Sequence, residues 1–402
     1  MMAQTTIYLV RHAEAEGNLY RRIHGWYDSL VTDNGFRQIA ALAHRFERVA
    51  VDAVYSSDLY RTRTTAEAIY KPKGLPLHTD RGLREVSLGV WEDRTWGDVA
   101  RHDGERMQQF YATSGRWKVE GGESFAQVQR RMKETVLAIA SRHPGQTVAL
   151  VSHGTAIRCL QGVARGMIPD EMTALGHCEN TGVTCLRVEG EQMELVYEND
   201  ASHLPAEIST LARQSWWKGG KGRSGDGELW FQTLDMDMNS GIYYAARKDA
   251  WQDIHGSLRN FDGVGFLQEA RRSWEEDPKS LMLAMLGDEP AGLIQMDLSR
   301  HADEGVGYIP FVYMMPDYRK KGLGVQLLGQ AISTYRPLGR TRLRLRCAPD
   351  NELAQRFYRR YGFVKVGTAP GTRVPLDFLE KYIGFGPEER PDREEHGWTP
   401  DR

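Results

Sequence analysis

The sequence contains few cysteines, no long apolar run and no excess of one charge. Its four cysteines are scattered along 402 residues and form no C-x-x-C pair, so we expect free thiols rather than a disulfide framework. Apolar stretches stay far below the length of a membrane span. A formal net charge of −2 gives no general reason to expect nucleic acid or an anionic membrane as a partner. These features predict a soluble cytoplasmic protein that binds neither nucleic acid nor membrane.

The length of the chain favours two domains, because 402 residues exceed the usual size of one. The composition changes at Trp216–Glu228, where glycine, lysine and polar residues predict a flexible connector. We therefore predict a first domain at residues 1–205, a linker at 206–227 and a second domain at 228–385. The charged residues 386–402 predict a disordered tail.

Strand-like and helix-like segments alternate in the first half of the chain. A strand at Thr5–Val10 is followed by a helix with apolar residues recurring from Phe36 to Phe46, and Thr147–Gly154 is a second buried strand. A second pattern of this kind follows the connector, starting with a strand near Leu281–Leu286. The alternation predicts an α/β fold with a largely parallel first sheet.

Two of the predicted strands end in a histidine, His12 and His153. Ligands of open α/β sheets bind outside the carboxyl ends of the strands, so we expect both imidazoles at one ligand site. Arg11 and Arg61 belong to neighbouring motifs. Two arginines and two histidines at one sheet edge would repel each other without a doubly charged anion, and a phosphoryl group fits that need.

Residues 5–200 resemble the histidine phosphatase superfamily, also called phosphoglycerate mutase-like, through five motifs in the family's order: "LVRHAEAEGN", "SSDLYRTRTTA", "LREVSLGVWED", "GGES" and "VSHGTAIR". The resemblance implies a three-layer α/β/α domain in which His12 is the nucleophile that becomes phosphorylated. It implies that Glu85 supplies a proton to the leaving oxygen, with His153 also in the catalytic set. The implied phosphate-binding residues are Arg11, Asn18, Arg61 and His153. The segment "WED" departs from the "WEG" common in that family.

The chemistry of these residue types agrees with the implied roles. A neutral imidazole nitrogen can attack phosphorus, and nearby arginines favour the neutral form by disfavouring protonation. A carboxyl group can protonate the departing alkoxide, and Glu92 and Asp93 are alternatives to Glu85 in this role. No metal is required. Four further histidines are expected at the surface: His24, His44, His78 and His102.

The choice between hydrolysis and phosphoryl re-donation depends on what covers the site. A mutase has to keep water out, which usually takes an elaborated cap. Only a short insertion fits between Glu85 and Gly121. We therefore favour hydrolysis of a small-molecule phosphomonoester and keep a phosphomutase as an alternative.

The second half carries a glycine-rich loop between a strand and an amphipathic helix. Glycines at a helix entry let backbone N–H groups approach an anion, and the helix dipole adds to the attraction. With the downstream segment "RLRLRCAPDNELAQRFYRRYGFVKVG", this R-x-x-G-x-G loop makes residues 228–385 similar to the GNAT family of acetyltransferases. That similarity implies an α/β domain with a mixed sheet in which Tyr308–Met314 splays from Thr341–Cys347.

The same similarity implies acetyl-CoA as the cofactor, an amine as the acceptor and Tyr358 as the acid that reprotonates the thiolate. The implied cofactor-binding residues are Val312, Met314, Arg319, Lys320, Lys321, Gly322, Leu323, Gly324, Val325 and Asn351. Asp303 and Glu304 precede the key strand, but no general base is obvious. We therefore predict a bifunctional enzyme. The alternative is an active phosphatase joined to a module that senses or binds acetyl-CoA, and a homodimer is left open.

Overall fold

The computed structural model describes residues 3–112, 115–214 and 227–386. The chain divides into two compact units, Met1–Asp226 and Gly227–Arg402. Residues 215–226 of the predicted linker and residues 387–402 of the predicted tail lie outside the described residues, so both assignments stay predictions. The four cysteines are free and buried. In the described part of the chain, no helix combines the length and the apolar character needed to cross a membrane.

The first unit is built on a six-stranded sheet with helices packed on it. The strands are β1 (Thr5–Arg11), β2 (Ala53–Ser56), β3 (Leu77–Thr79), β4 (Thr147–Ser152), β5 (Val183–Glu189) and β6 (Gln192–Asp200). The helices are α1 (Glu16–Tyr20), α2 (Asp33–Phe46), α3 (Tyr60–Tyr70), α4 (Trp96–His102), α5 (Gly104–Ala112), α6 (Phe125–Arg142), α7 (Gly154–Ala164) and α8 (Thr210–Arg213). The strand order is β3-β2-β4-β1-β5-β6, parallel from β3 to β1 and antiparallel through β5 and β6.

Alternate residues of the central strands face two separate apolar cores. Ile7 and Leu9 of β1 pack in one core with residues of α6 and α7, such as Val136 and Ile157. Val10 belongs to the other core, with residues of α2 and α3. Because successive strand residues alternate between the two faces of the sheet, helices pack on both faces. This arrangement gives the predicted three layers.

Residues 206–214, which the sequence assigned to the linker, instead pack against the first unit. Gln38 donates to the Ile208 carbonyl at 2.8 Å and to the Thr210 hydroxyl at 2.9 Å. Thr210 in turn donates to the Glu14 carboxylate at 3.0 Å. Gln38 and Glu14 are buried and need such partners, which explains why this short polar stretch is ordered.

The second unit is built on a seven-stranded mixed sheet. Its strands are β7 (Trp230–Thr233), β8 (Leu281–Leu286), β9 (Glu289–Asp297), β10 (Val306–Met314), β11 (Arg342–Cys347), β12 (Val364–Ala369) and β13 (Leu376–Tyr382). Its helices are α9 (Met236–His255), α10 (Gly263–Glu276), α11 (Val325–Tyr335) and α12 (Glu352–Arg360). The strand order is β12-β13-β11-β10-β9-β8-β7, in which β10 and β11 are parallel and the other pairs are antiparallel.

The parallel pair separates part of the way along its length. Pairing between β10 and β11 runs from Val306 opposite Arg342 to Ile309 opposite Leu345. Beyond Ile309, β10 continues to Met314 while paired with β9 alone, and its register shifts before Phe311. The predicted splay is therefore confirmed. It leaves one backbone edge of β10 open directly before the loop that leads into α11.

Candidate active sites

The carboxyl ends of β1 and β4 bring the two strand-end histidines together. Arg11 is opposite Ser152 in the parallel register, so His12 and His153 leave the sheet side by side. Their ring centroids are 5.2 Å apart, and the two side chains are 2% and 0% exposed. The strand-end rule thus located this pair correctly.

A single hydrogen bond fixes the chemical form of His12. Nδ1 lies 2.8 Å from the Ala13 carbonyl oxygen, which can only accept, so Nδ1 carries the proton. The lone pair is therefore on Nε2. Burial first, and then the charges of Arg61 and Arg11, hold the pKa of His12 well below its usual range. His12 is thus a neutral imidazole with one nitrogen available for attack.

Three buried nitrogen atoms around His12 have no hydrogen-bond partner within the described residues: Arg11 Nε, Arg61 Nε and His153 Nδ1. The Nε2 of His153 is bonded to the Ser57 hydroxyl at 3.0 Å. Unpaired buried donors cost free energy, and a tetrahedral oxyanion would satisfy several at once. This group of atoms is the strongest sign of an anion site in the first unit.

The hydrogen bonds that the two arginines make to described residues go to backbone carbonyls, and Arg61 Nη1 also lies 3.7 Å from the Asp28 carboxylate. Arg61 is fully buried and donates to the carbonyls of His24, Gly25 and Tyr27 at 2.9, 2.7 and 3.1 Å. Arg11 donates through Nη1 to the Cys178 carbonyl. Arg61 therefore holds the loop around residues 24–27 as well as facing the site, a role that sequence motifs alone did not indicate.

His24 belongs to the site, and its predicted place at the surface is wrong. Its ring stands edge-on to His12 with centroids 5.6 Å apart, and its Nδ1 bonds to Ser29 Oγ at 3.0 Å. A Cβ at Gly17 would lie 2.3 Å from the His24 ring, so glycine is what allows this close approach. No periodic pattern marks His24, whereas Ser57 follows β2 and the strand-end rule could have found it. The other three histidines are exposed, as predicted: His44, His78 and His102.

The Glu85 carboxylate lies at the amino end of α7. It accepts from the backbone N–H groups of Thr155 at 3.0 Å, Ala156 at 2.8 Å and Val86 at 3.0 Å. Since α7 begins directly after His153, these bonds place the carboxylate beside the histidine pair. Its role as an acid remains a prediction.

Glu92 and Asp93, the alternatives to Glu85, are engaged elsewhere. Glu92 accepts from the backbone N–H groups of Trp26 and Tyr27 at 2.8 Å. Asp93 pairs with Arg22 at 2.8 Å. Its φ is +60°, a left-handed conformation that aspartate tolerates, which explains how "WED" can replace the "WEG" of the family. Both acids thus shape the loop that covers the site.

Asn18 lies in α1, directly after the strand-end loop. Its Oδ1 accepts from the Ala15 N–H at 3.1 Å, which closes the first turn of the helix. The oxygen is therefore committed and the amide NH2 is the group left to donate. That arrangement fits the predicted contribution of a donor.

Acid should destabilise the first unit through the three histidines of this site, of which His12 and His153 are buried and His24 is partly buried. Burial is the main cause that lowers the pKa of His12, His24 and His153 in the folded chain, while unfolded histidine titrates near 6.5. Below that pH the unfolded chain binds more protons, so the free energy of unfolding falls as the pH falls. Each histidine contributes a slope of up to about 1.4 kcal/mol per pH unit.

Replacement of one of these histidines should make the free energy of unfolding depend less steeply on pH. We expect His24→Gln to reduce this pH dependence of the free energy of unfolding by about 1.4 kcal/mol per pH unit below pH ~5.5. Hydrogen exchange of β1 and β4 amides in the intact chain, corrected for intrinsic rates, measures the free energy of unfolding at each pH. Equal slopes in His24→Gln and wild type would contradict the lowered pKa.

The loop before α11 offers a row of backbone donors in the second unit. No hydrogen-bond acceptor occurs, among the described residues, for the N–H groups of residues 320–325. Lys320 and Gly322 adopt φ values of +60° and +78°, which turn the chain sharply into the helix. Leu323 and Val325 are buried, so they anchor the loop to the second unit.

Arg319 points away from that row of donors. Its guanidinium pairs with Asp249 and with Asp253 of α9, the latter at 2.6 Å, and its Nε donates to the Met314 carbonyl at 3.0 Å. Lys321 lies over the Tyr318 ring, 5.5 Å from its centroid. The structure therefore gives Arg319 a place in holding the loop to α9 and β10, and its predicted contact with a cofactor stays a prediction.

The other predicted residues of this site lie around the splayed strands. Val312 and Met314 are on β10 beyond its last pair with β11. Asn351 caps α12, because its Oδ1 accepts from the Ala354 N–H at 3.1 Å. The Tyr358 hydroxyl makes no hydrogen bond to another described residue, and burial together with nearby Cys347 raises its pKa. Tyr358 is thus a protonated hydroxyl, the form that an acid requires.

Glu304, one of the two acids that precede β10, is bonded to two basic side chains. Glu304 bonds to His301 Nδ1 at 2.6 Å and to Arg344 at 3.0 Å, and these partners hold its pKa below the usual range. Asp303 lies at an exposed position.

Comparisons with known proteins match both halves. A family model of the histidine phosphatase superfamily (branch 1) matches residues 7–201, and one of the acetyltransferase (GNAT) family matches residues 244–363. The probable phosphoglycerate mutase GpmB of Serratia proteamaculans is 34% identical over 161 residues, which cover 40% of this chain and 75% of that protein. The protein of the same name from Cronobacter sakazakii gives the same values.

Solved structures also resemble the chain over about half of its length. Bacillus stearothermophilus YhfR is 34% identical, covers 50% of this chain and 98% of its own, and has a TM-score of 0.48. A mycobacterial glucosyl-3-phosphoglycerate phosphatase is 26% identical, covers 49% of this chain and 99% of its own, and has a TM-score of 0.46. From the family models and the identity to curated relatives, the chain belongs to the histidine phosphatase superfamily and carries, in the same polypeptide, a GNAT acetyltransferase domain.

Proposed function

We propose that the protein is bifunctional: it hydrolyses a phosphomonoester through a phosphohistidine, and it transfers acetyl from acetyl-CoA to an amine. The observation that carries the first activity is the neutral His12, whose Nε2 lone pair lies among three unpaired buried nitrogens. Nε2 attacks phosphorus and the ester oxygen leaves. Arg11, Arg61 and His153 would bind the transferring oxygens, whose charge needs cationic and N–H partners. Water then releases phosphate and restores the imidazole.

His24 adds to this proposal a third imidazole within reach of the transferring group. Its ring centroid is 5.6 Å from that of His12, and its Nδ1 is engaged by Ser29, so Nε2 is the nitrogen left for the ligand. Burial and Arg61 hold the pKa of His24 low in the ligand-free protein. A bound dianion would favour protonation, which would make His24 a further cationic donor.

The acid step provides a test that separates Glu85 from its neighbours. If Glu85 protonates the leaving oxygen, Glu85→Gln should slow alkyl phosphates by about 10²–10⁴-fold and p-nitrophenyl phosphate far less, because a good leaving group needs no proton. Phosphate release from a series of esters is the measurement. Glu92→Gln is the matched control, with similar slowing across the series. Uniform slowing in Glu85→Gln would argue against its role as the acid.

A phosphomutase is the second candidate, in view of the relatives named probable phosphoglycerate mutase. Between Glu85 and Gly121 the described chain forms two short helices, α4 and α5, which is little material for excluding water. Hydrolysis is therefore the better supported reaction. Incubation with 3-phosphoglycerate distinguishes the two, since a mutase yields 2-phosphoglycerate and a phosphatase yields inorganic phosphate.

The acetyltransferase activity is supported by the opened β10–β11 pair and by the unpaired N–H groups of residues 320–325. The loop would bind the pyrophosphate of acetyl-CoA and the gap would hold its pantetheine arm. The amine nitrogen attacks the thioester carbonyl, the C–S bond breaks and Tyr358 protonates the thiolate. The proton lost by the acylated nitrogen passes to water, and water restores the Tyr358 hydroxyl. Release of phosphate and of CoA, measured on one preparation against panels of phosphomonoesters and amines, tests both activities. Acetyl-CoA binding without CoA release for any amine would favour the sensor.

A further inference from the structure

Arg247 of α9 holds its guanidinium among aromatic rings of the second unit. Its Cζ lies 3.9 Å from the ring centroid of Phe311 on β10 and 4.5 Å from that of Phe266 on α10. The Tyr243 ring is 5.3 Å away. These rings remove much of the water that would otherwise solvate the charge, so the cation is in a setting that favours a close anionic partner.

The protein supplies no such partner within residues 227–386 as described. No carboxylate oxygen comes within 4.0 Å of Arg247, in contrast to Arg319, which pairs with Asp249 and Asp253. Arg247 donates only to neutral groups: Nε to the Tyr243 hydroxyl at 2.7 Å and Nη2 to Gln295 Oε1 at 2.8 Å. Its Nη1 makes no hydrogen bond to a described residue.

Gln295 adds a second unused donor at the same place. This side chain is 0% exposed, and its Nε2 has no partner among the described residues. Its orientation is fixed, because Oε1 accepts from both Arg247 and the Tyr243 hydroxyl, at 2.8 and 2.7 Å. The Tyr243 proton goes to Gln295 since the Tyr243 oxygen already accepts from Arg247. A buried amide N–H thus lies next to a guanidinium that forms no salt bridge with a carboxylate of the described residues.

The pair also lies next to the opening in the sheet. Gln295 of β9 is directly opposite Phe311 of β10, and Phe311 follows Ile309, the last β10 residue paired with β11. A planar anion attached to an apolar body would satisfy the donors and contact the rings together. We propose that Arg247 and Gln295 form a subsite for the carboxylate of an acceptor amine, such as an amino acid; this rests on the proposed acetyltransferase function.

The test compares ligands that differ in the carboxylate. Full-length protein is titrated by calorimetry, at millimolar concentrations, with phenylacetate against phenylacetamide, L-phenylalanine against 2-phenylethylamine, and glycine against methylamine. Each carboxylate should bind at least about tenfold more tightly than the matched ligand without a carboxylate. Arg247→Gln should remove this preference. Arg271→Gln, an exposed arginine of α10, is the control and should keep it. Binding of no carboxylate in the panel, or a preference that survives Arg247→Gln, overturns the proposal.

A second variant covers the case in which Arg247→Gln does not fold. Gln295→Glu places a carboxylate beside Arg247, so it should raise the melting temperature and abolish carboxylate binding while acetyl-CoA affinity is kept. Carboxylate binding unchanged in Gln295→Glu overturns the subsite. Acetylation assays separate this inference from the proposed activity. Equal turnover of amines with and without a carboxylate refutes the subsite and leaves the transferase standing. Arg247-dependent carboxylate binding without acetylation of any amine keeps the subsite and refutes its assignment to an acceptor.

Discussion

His12→Ala should release phosphate from p-nitrophenyl phosphate about 10⁴-fold more slowly than wild type, or slower still. The reason is the fixed tautomer: Nδ1 donates to the Ala13 carbonyl, and the lone pair on Nε2 is the one neutral nitrogen of His12 that can attack. We expect no neighbouring group to substitute for it, because the other nitrogens at the centre belong to the side chains proposed to bind the phosphoryl oxygens. Phosphate release under single-turnover conditions is the measurement.

The control for this prediction is His44→Ala, which removes an exposed imidazole and should leave the rate unchanged. Wild-type protein quenched without acid should carry phosphate on His12. Mass spectrometry that located phosphate only on another residue would remove His12 from the role of nucleophile. Full activity in His12→Ala would have the same consequence. Acetyl-CoA affinity of the variant, measured in parallel, reports whether the second unit is intact.

Gly324→Asp should lower the affinity for acetyl-CoA by at least about 30-fold, and Gly324→Ala by about tenfold or less. Gly324 has an ordinary helical φ of −58°, and a Cβ there would meet Phe357 and Met314 at 3.5 and 3.6 Å, so the free protein tolerates both changes. The loss of affinity therefore comes from interference with the bound ligand. A side chain narrows the approach to the loop N–H groups, and aspartate adds a charge beside the pyrophosphate. Calorimetric titration measures both effects.

A matched control in the same unit is Gly241→Asp, an exposed position of α9 with open space around its Cα, which should leave the affinity unchanged. Phosphatase activity is the control for folding of the other half. Unchanged affinity in Gly324→Asp would end the assignment of residues 319–325 as the pyrophosphate loop. Gly322 is a poorer test, because its φ of +78° makes any side chain strain the turn itself.

The elements with strong local signals could be predicted from the sequence. The strand Thr5–Val10 extends in the structure by one residue to Arg11, and a strand occupies Leu281–Leu286, where one was predicted. Buried strands of this kind are continuous apolar runs, so their pattern is visible without the fold. The rule that ligands bind outside the carboxyl ends of the strands placed His12 and His153 at one sheet edge.

Contacts made by loops could not be predicted in this way. His24 reaches His12 only because the chain after α1 turns back over the sheet edge, a path set by Arg61 and Glu92 through bonds to the loop backbone. Arg319 was assigned to a ligand from its motif, whereas its position is set by acids of α9, more than sixty residues earlier in the chain. The motifs that carry the family resemblance all lie after helices α9 and α10, so the aromatic setting of Arg247 was not foreseen.

The bond from His12 Nδ1 to the Ala13 carbonyl also sets the regiochemistry expected for the proposed covalent intermediate. A phosphorylated imidazole exists as two isomers, and here the nitrogen nearer the main chain is occupied by its proton. Only the distal, tele isomer can form without breaking that bond. The ³¹P resonance of the trapped protein should therefore be that of tele-phosphohistidine, and an antibody selective for the pros isomer should not react. One backbone oxygen thus determines which of two chemical species the chain makes.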